Sequence, residues 1–283
     1  MGLGSVKVNG KKVPVKEALG LLKLNLSNLN IQTISEIKGL EKLKNVEAID
    51  LSYNQLSDLH GLEVAPQLLQ LFANNNQITS LEGIETLVKL DRIFLDKNKI
   101  SEIRGLEPLI NLQWLELNEN IISEIDGLDA QANLQRLNIE QNQIQQISGL
   151  DKLQNLEVLI LSRNQISNIS GVNDLANLNW LFLDHNLIEE IAGLEKLTNL
   201  DTLHLDSNKI KEIKGLDHLI NLKAIYLDGN QITEIKGLNH LEKLKLLFLG
   251  FNPIEGGFAK DVMGIEHVKN LISSYNQWKR ENN

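Results

Sequence analysis

Residues 200–216 read LDTLHLDSNKIKEIKGL. Leucine or isoleucine recurs every two to five residues on both sides of Asn208, and Gly215 closes the stretch. The side chains just before Asn208 alternate between apolar and polar, which is the period of a half-buried β-strand. Beyond it the apolar spacing is too irregular for a long helix. The stretch therefore predicts one short strand followed by a tight return.

This stretch recurs along the chain in steps of 22 residues. An asparagine stands at ten positions in this register: Asn54, Asn76, Asn98, Asn120, Asn142, Asn164, Asn186, Asn208, Asn230 and Asn252. A glycine keeps the same step: Gly39, Gly61, Gly83, Gly105, Gly127, Gly149, Gly171, Gly193, Gly215 and Gly237. Two columns of this length identify a repeat array. One unit buries too little apolar surface to fold alone, so we expect stacked units that share a leucine and isoleucine core.

The two columns predict separate structural roles. An asparagine amide both donates and accepts hydrogen bonds, so stacked asparagines predict a ladder at the edge of the core. The glycine column predicts bends that need a positive φ or a close approach of two backbones.

The repeat Leu-x-x-Leu-x-Leu-x-x-Asn, followed by x-Ile-x-x-Ile-x-Gly-Leu, resembles the leucine-rich repeat superfamily over residues 21–254. The repeat length of 22 residues, together with Ile-x-x-Ile-x-Gly-Leu, resembles the repeats of the SDS22-like class of that superfamily. The resemblance implies an α/β solenoid, a right-handed horseshoe with a concave parallel β-sheet and short 3-10 or helical turns on its convex side. It also implies binding far more often than catalysis.

The ends of the array depart from the repeat, so three segments are predicted: a cap over 1–20, an array over 21–254 and a cap over 255–283. The array holds one atypical and about ten regular repeats. Asn9-Gly10 suits a type I′ turn and predicts a β-hairpin in the first cap. Apolar residues from Val262 to Tyr275 recur at three and four, which predicts one amphipathic helix in the last cap, with Gly264 inside it.

Composition restricts the partner and the compartment. A net charge of −9 and a pI near 5.3 argue against nucleic acid or an anionic membrane as partner. The chain has no cysteine, Met1 to Gly10 holds no apolar core of a signal peptide, and no apolar run reaches the ~18 residues of a membrane span. We therefore expect a soluble cytoplasmic protein. As a separate expectation, the protein is monomeric on its own.

Motifs of catalysis are missing from the sequence. It has no cysteine nucleophile, no Gly-x-Ser-x-Gly, no phosphate-binding glycine loop and no His-Glu-x-x-His. We expect no enzymatic activity, no cofactor and no metal.

Strand alternation places the residues two, four and six positions before each asparagine away from the core, on what we name the outward sheet face. Seven of the twelve Phe, Trp and Tyr residues fall four or six positions before an asparagine. Outward aromatic residues are typical of binding surfaces. The alternative is that the rings stack along the sheet merely to cover it. The predicted partner-binding residues are Phe72, Phe94, Trp114, Glu116, Trp180, Phe182, Asp184, His204, Asp206, Tyr226, Asp228 and Phe248.

Three of these residues form an acidic run. Asp184, Asp206 and Asp228 should lie on adjacent strands about 4.8 Å apart, where two like charges repel by roughly 1 kcal/mol in water and ~3.5 kcal/mol at an effective dielectric constant of 20. We interpret the run as facing a basic or mixed surface of a protein partner. A bound cation such as calcium and simple solvation are the alternatives. His204 is interpreted as a hydrogen-bonding group at the interface, because no second histidine shares its column.

The sequence thus predicts a non-catalytic protein-protein interaction module or scaffold that binds on its concave aromatic and acidic face. The resemblance suggests a regulatory subunit of a signalling enzyme such as a phosphatase. An internalin-like module for ligand or carbohydrate recognition is the alternative, and an engineered array without a partner is a third.

Overall fold

The computed structural model describes residues 3–282, which form two compact units. We name them unit 1, which ends at Asn142, and unit 2, which begins at Gln143. Met1, Gly2 and Asn283 of the predicted caps lie outside the described residues. The predicted boundaries at residues 21 and 255 stay predictions.

Unit 1 is built of short strands joined by turns. They are β1 (Ser5–Val8), β2 (Lys11–Pro14), β3 (Lys16–Ala18), β4 (Leu21–Asn25), β5 (Ala48–Asp50), β6 (Gln70–Phe72), β7 (Arg92–Phe94), β8 (Trp114–Glu116) and β9 (Arg136–Asn138). From β4 to β9 neighbouring strands are parallel. From β5 onward each pair joins residues 22 apart, as Leu71 pairs with Ile93. The sequence period therefore sets the strand register.

Two hairpins precede the first parallel pair. β1 and β2 are antiparallel around Asn9 and Gly10, whose φ angles of 48° and 76° suit the predicted type I′ turn. β3 then pairs antiparallel with β4 through a second turn at Leu19 and Gly20. The sequence predicts only the first of these hairpins, so β3 is an addition to the predicted cap.

Unit 2 continues the same pattern. Its elements are β10 (Val158–Ile160), β11 (Trp180–Phe182), β12 (Thr202–His204), β13 (Ala224–Tyr226), β14 (Leu246–Phe248), β15 (Val262–Met263) and α1 (Ile265–Asn282). β10 to β14 are parallel, again in steps of 22 residues.

The helix predicted from Val262 to Tyr275 is wrong at its start. Val262 lies in β15, which pairs antiparallel with β14, and Gly264 has a φ of 100° outside the helix. The spacing of three and four between apolar residues includes Val262 by coincidence. The positive φ of Gly264 is incompatible with an α-helix, so the helix begins only after this residue. The helix itself buries Val268, Leu271, Ile272 and Tyr275.

The predicted fold class, an α/β solenoid of stacked parallel strands with a hairpin and a helix at its ends, is confirmed. Single 3-10 turns occur at Ile34–Glu36, Leu40–Lys42, Leu62–Val64 and Glu255–Gly257. Within residues 3–282, no helix has the length and apolar character needed to span a membrane.

The predicted asparagine ladder is present. The side chain of Asn208 donates to the carbonyls of Leu183 and Leu205 at 3.0 Å, and its oxygen accepts the N–H of Ile188 at 3.0 Å. The asparagine is only 7% exposed. It satisfies backbone groups of its own repeat and of the preceding one, where water has little access.

A second asparagine column was missed. Thirteen residues after each of five ladder asparagines, another asparagine donates to a backbone carbonyl of the preceding repeat at 2.8–2.9 Å: Asn111, Asn133, Asn177, Asn199 and Asn221. The 22-residue spacing of these residues was visible in the sequence. Their partners are exposed, so each bond stabilises the stack less than a ladder bond does.

One core position carries a polar side chain. Gln131 stands where other repeats have Leu109 or Leu153, and it is fully buried. Its amide donates to the carbonyl of Leu106 at 2.6 Å, whereas Oε1 has no hydrogen-bond partner among the described residues. An unsatisfied buried carbonyl oxygen destabilises the folded state.

We expect Gln131→Leu to raise the free energy of unfolding by about 1–2 kcal/mol, because it removes the unsatisfied oxygen and restores the leucine column. The carbonyl of Leu106 keeps a bond from the N–H of Leu109 at 2.8 Å. Urea denaturation followed by circular dichroism measures the change. Lower stability in the variant would show that the hydrogen bond from the Gln131 amide to Leu106 stabilises the fold more than the unsatisfied Oε1 destabilises it.

Candidate interaction face

The outward sheet face of unit 1 carries an aromatic pair with its own cation. Phe72 and Phe94 stack with ring centroids 4.6 Å apart and an interplanar angle of 5°. The Nζ of Lys23 lies 4.5 Å from the centre of the Phe72 ring and 3.4 Å from a carboxylate oxygen of Asp50. This ring therefore already has a cation within the chain.

Trp114 and Glu116 are also engaged internally. The guanidinium of Arg92 lies 4.6 Å from the centre of the Trp114 ring. Arg136 Nε donates to Glu116 Oε1 at 2.5 Å, and Glu116 is only 7% exposed. Glu116, one of the predicted partner-binding residues, is therefore buried. Arg136, two positions before its strand neighbour Asn138, covers it and pairs with its charge.

In unit 2, four rings on successive strands form one stack, which we name the ring row: Phe182, His204, Tyr226 and Phe248. Their consecutive centroid distances are 4.5, 3.9 and 4.4 Å, with interplanar angles of 18°, 8° and 7°. The parallel register places these residues directly opposite one another. Stacking follows from the residues being four positions before consecutive ladder asparagines.

The stack decides what a partner can touch. Both faces of His204 and Tyr226 are covered by neighbouring rings, so these two side chains offer their edges and polar atoms. Trp180 lies six positions before its ladder asparagine, outside the row, and is 46% exposed. The ring row therefore covers this part of the sheet, whereas the Trp180 side chain is open to solvent.

The carboxylates of the acidic run accept hydrogen bonds from neighbouring strands, a structural role that was not predicted from the sequence. Asp206 Oδ1 accepts the backbone N–H of Asp228 at 3.1 Å, and Asp228 Oδ1 accepts that of Gly250 at 2.6 Å. Ser162 Oγ donates to Asp184 Oδ1 at 2.5 Å. These bonds offset part of the repulsion between the carboxylates. Among the described residues, no group of three or more His, Cys, Asp or Glu side chains is placed to hold a metal ion.

A fourth carboxylate joins the run from the C-terminal cap. Asp261 Oδ1 accepts the N–H of Gly250 at 3.2 Å, so Asp228 and Asp261 converge on one donor. Burial, followed by the negative charge of Asp261, raises the pKa of Asp228 to about 6, although the hydrogen bond from the Gly250 N–H opposes the shift. Asp228 therefore changes its charge near neutral pH.

We expect Asp228→Asn to stabilise the protein at pH ~8 by about 1 kcal/mol, a value reduced for screening by solvent. The folded-state pKa is raised, so the contribution of the protonated carboxyl is fully present below pH ~4 and is lost as pH rises through about 6. The asparagine oxygen still accepts the Gly250 N–H. Urea denaturation of both proteins between pH ~4 and ~8 should show a difference that grows with pH. A difference independent of pH would contradict the assignment.

Cationic side chains are concentrated at the other end of the sequence. Residues 1–44 carry eight lysines and three glutamates, against 28 basic and 37 acidic residues in the whole chain. In unit 1, Lys7 pairs with Lys12 on one side and with Lys38 on the other. By contrast, the outward sheet face of unit 2 has no lysine or arginine at its three columns. This basic cluster was not among the features predicted from the sequence.

Comparison with known proteins identifies the repeat. The family described as Leucine Rich repeats (2 copies) matches residues 110–152, 132–176 and 176–218. No curated protein gives a significant match. Internalin C2 (inlC2) from Listeria monocytogenes is 31% identical over 63% of this chain and 77% of that chain, with a TM-score of 0.58.

Two further structures share the fold. A chain from the octameric complex of Latrophilin 3, Unc5D and FLRT2, in which FLRT2 supplies the leucine-rich repeats, is 25% identical over 87% of this chain and 80% of that chain, with a TM-score of 0.75. Internalin inlF from Listeria monocytogenes is 23% identical over 93% and 88%, with a TM-score of 0.57. The 22-residue columns, the parallel register, the asparagine ladder and these likenesses agree: the chain belongs to the leucine-rich repeat proteins.

Proposed function

We propose that this protein is a non-catalytic interaction module or scaffold that binds a protein partner on the outward sheet face of unit 2. The observation that carries the proposal is the ring row beside the exposed Trp180. Leucine-rich repeat proteins are generally non-catalytic interaction modules. Among the neighbours, FLRT2 occurs in a complex with two other proteins.

The chemistry of the face favours a basic or mixed partner surface. Aromatic side chains, which have few rotatable bonds, are enriched among the residues that contribute most of the binding energy in protein interfaces. Asp184, Asp206 and Asp228 border the ring row, and the three columns of the unit 2 face hold no lysine or arginine. A cationic partner would relieve their mutual repulsion and associate faster at low salt.

Capture from source-cell lysate tests the proposal. The variant for unit 2 carries Trp180, Phe182 and Tyr226 as alanine, and the matched variant for unit 1 carries Phe72, Phe94 and Trp114 as alanine. We expect a protein retained by wild type and by the unit 1 variant to be lost by the unit 2 variant. Since none of these side chains lies in the leucine core, Trp180→Ala with Phe182→Ala should leave the melting temperature within a few degrees. Equal retention by all three proteins would refute the assignment of this face.

An internalin-like ligand or carbohydrate recognition module is the second candidate, and the 31% identity to inlC2 favours it. Aromatic rings pack against sugar rings, so Trp180 would be the contact in this case. Titration with a panel of oligosaccharides, followed by tryptophan fluorescence in wild type and Trp180→Phe, separates the two candidates. A saturable change lost in the variant would support sugar recognition.

We also propose a repeat class, a cellular role and an oligomeric state for this protein. The repeat length supports the SDS22-like class, whose resemblance suggests a cytoplasmic, regulatory subunit of a phosphatase or another signalling enzyme. We propose a monomer in the absence of its partner. Light scattering checks the monomer, and the identity of the captured protein checks the phosphatase.

A further inference from the structure

Two tryptophans occupy the same column of the outward sheet face but have different surroundings. Trp114 and Trp180 each lie six residues before a ladder asparagine, three repeats apart. In unit 1, Arg92 from the preceding strand lies over the Trp114 ring at 4.6 Å. Arg92 Nε is also 3.8 Å from a carboxylate oxygen of Asp91. Trp114, Arg92 and Asp91 thus form a guanidinium site within the chain.

Unit 2 repeats this backbone arrangement without the cation. The N–H of Trp114 donates to the carbonyl of Asp91 at 3.0 Å, and the N–H of Trp180 donates to the carbonyl of Glu157 at 3.0 Å. The residue in the position of Arg92 is Val158, which pairs directly with Trp180 and is buried. Unit 2 therefore has a tryptophan and a carboxylate at the positions of Trp114 and Asp91. The position of Arg92 is occupied by a short apolar residue, Val158.

The remaining groups are free for another molecule. Trp180 is 46% exposed. Glu157 is exposed and, within residues 3–282, its carboxylate has no hydrogen bond or ion pair. Lys23 over Phe72 shows a second ring of unit 1 that is supplied with a cation by the chain. On the unit 2 face the described residues place no lysine or arginine over a ring.

We propose that Trp180 and Glu157 bind an arginine side chain of the protein partner, in the position that Arg92 holds over Trp114. This inference rests on the proposed interaction function and specifies its chemistry. A guanidinium is planar, stacks on an indole and keeps donors free at its edge for a carboxylate. Lysine offers a compact, strongly hydrated charge that fits this pair less well.

Nuclear magnetic resonance of the tryptophan indole N–H groups tests the site directly. The three tryptophans give three indole signals, which tryptophan-to-phenylalanine variants assign. The probe is acetyl-Gly-Arg-Gly-amide, with the lysine and citrulline peptides as controls. We expect the arginine peptide to shift the Trp180 signal in a saturable way, the lysine peptide to bind several-fold more weakly, and the neutral citrulline peptide to give no saturable shift.

Val158→Arg supplies the missing cation within the chain. We expect this variant to shift the Trp180 signal without peptide and to weaken peptide binding by about fivefold or more, since the site is already filled. Val158→Gln, which has similar reach without charge, should retain binding. If Val158→Arg does not fold, Glu157→Gln should weaken binding of the arginine peptide severalfold. An unmoved Trp180 signal, equal shifts with citrulline, or unchanged affinity in the variant that folds would overturn the proposal.

The lysate capture separates this inference from the proposed function. A partner lost by the triple alanine variant of unit 2 but retained by Val158→Arg would leave the interaction face intact and refute the arginine site. If no protein is captured while the peptide binds at Trp180, the arginine site stands and the protein-interaction function fails.

Discussion

Gly215→Ala should destabilise unit 2 by about 3–5 kcal/mol, whereas Gly193→Ala should cost about 1–2 kcal/mol. Both glycines belong to the same column and have positive φ, 72° at Gly215 and 77° at Gly193. A Cβ at position 215 would lie 2.2 Å from the carbonyl oxygen of Ile191. At position 193 the nearest atom would be 3.5 Å away.

The two variants share the backbone strain of an L-residue at positive φ and differ in the clash with the preceding repeat. Because the obstructing atom at Gly215 is backbone, relief requires the repeats to move apart. Urea denaturation followed by circular dichroism compares both variants with wild type. Equal losses would mean that φ alone explains the glycine column and that the close approach is unimportant.

Leu203→Ala should lower the free energy of unfolding by about 2–5 kcal/mol, because it leaves a cavity in the leucine core. The next residue gives the matched control. Leu203 is fully buried, while the side chain of His204 is 23% exposed between Phe182 and Tyr226 on the outward sheet face. We expect His204→Ala to cost only about 1 kcal/mol, the loss of two ring contacts.

The contrast tests which face of β12 is buried. Strand alternation requires large and small effects to alternate along the strand. Thermal and urea unfolding of the two variants measure the ratio. A larger loss for His204→Ala than for Leu203→Ala would reverse the assignment of the faces on which the candidate site depends.

Repetition is the reason that much of the fold was predictable. Each column of leucine, asparagine or glycine repeats the same structural requirement about ten times along the chain. A residue that matches the pattern by chance at one position therefore has little influence on the predicted fold. The pairing of Leu203 with Ile225 and the ladder bonds of Asn208 follow from that period. The ends offer one copy of each signal, and there the prediction missed β3 and placed Gly264 inside a helix.

The sequence also did not predict the backbone conformation of the residues that precede the ladder asparagines. The residue before each ladder asparagine has a φ between 53° and 64°, with side chains as different as Tyr53, Ser207 and Phe251. Among these ten residues, only Gly229 and Asn75 are of types that favour a positive φ. Tertiary hydrogen bonds of the stack impose this conformation, so local propensity could not reveal it.

The sequence predicted which residues lie on the candidate face, but it did not predict the contacts between their side chains. Alternation placed Phe182, His204, Tyr226 and Phe248 on one face, but whether rings stack depends on side-chain rotamers and strand spacing. Within their own column, Trp114, covered by Arg92, and the exposed Trp180 look alike, since each stands six positions before a ladder asparagine. That distinction needs the neighbour one repeat away, Arg92 in one case and Val158 in the other.

Site-specific photocrosslinking in source-cell lysate tests the central claim most directly. A benzoylphenylalanine at Thr202 would lie beside Trp180 on the outward sheet face, and one at the exposed Ile220 would lie on the return segment that follows the same strand. We predict that a partner protein crosslinks from position 202 and not from position 220. Crosslinking from position 220 alone, or from neither position, would contradict the assignment of the unit 2 face as the interaction surface.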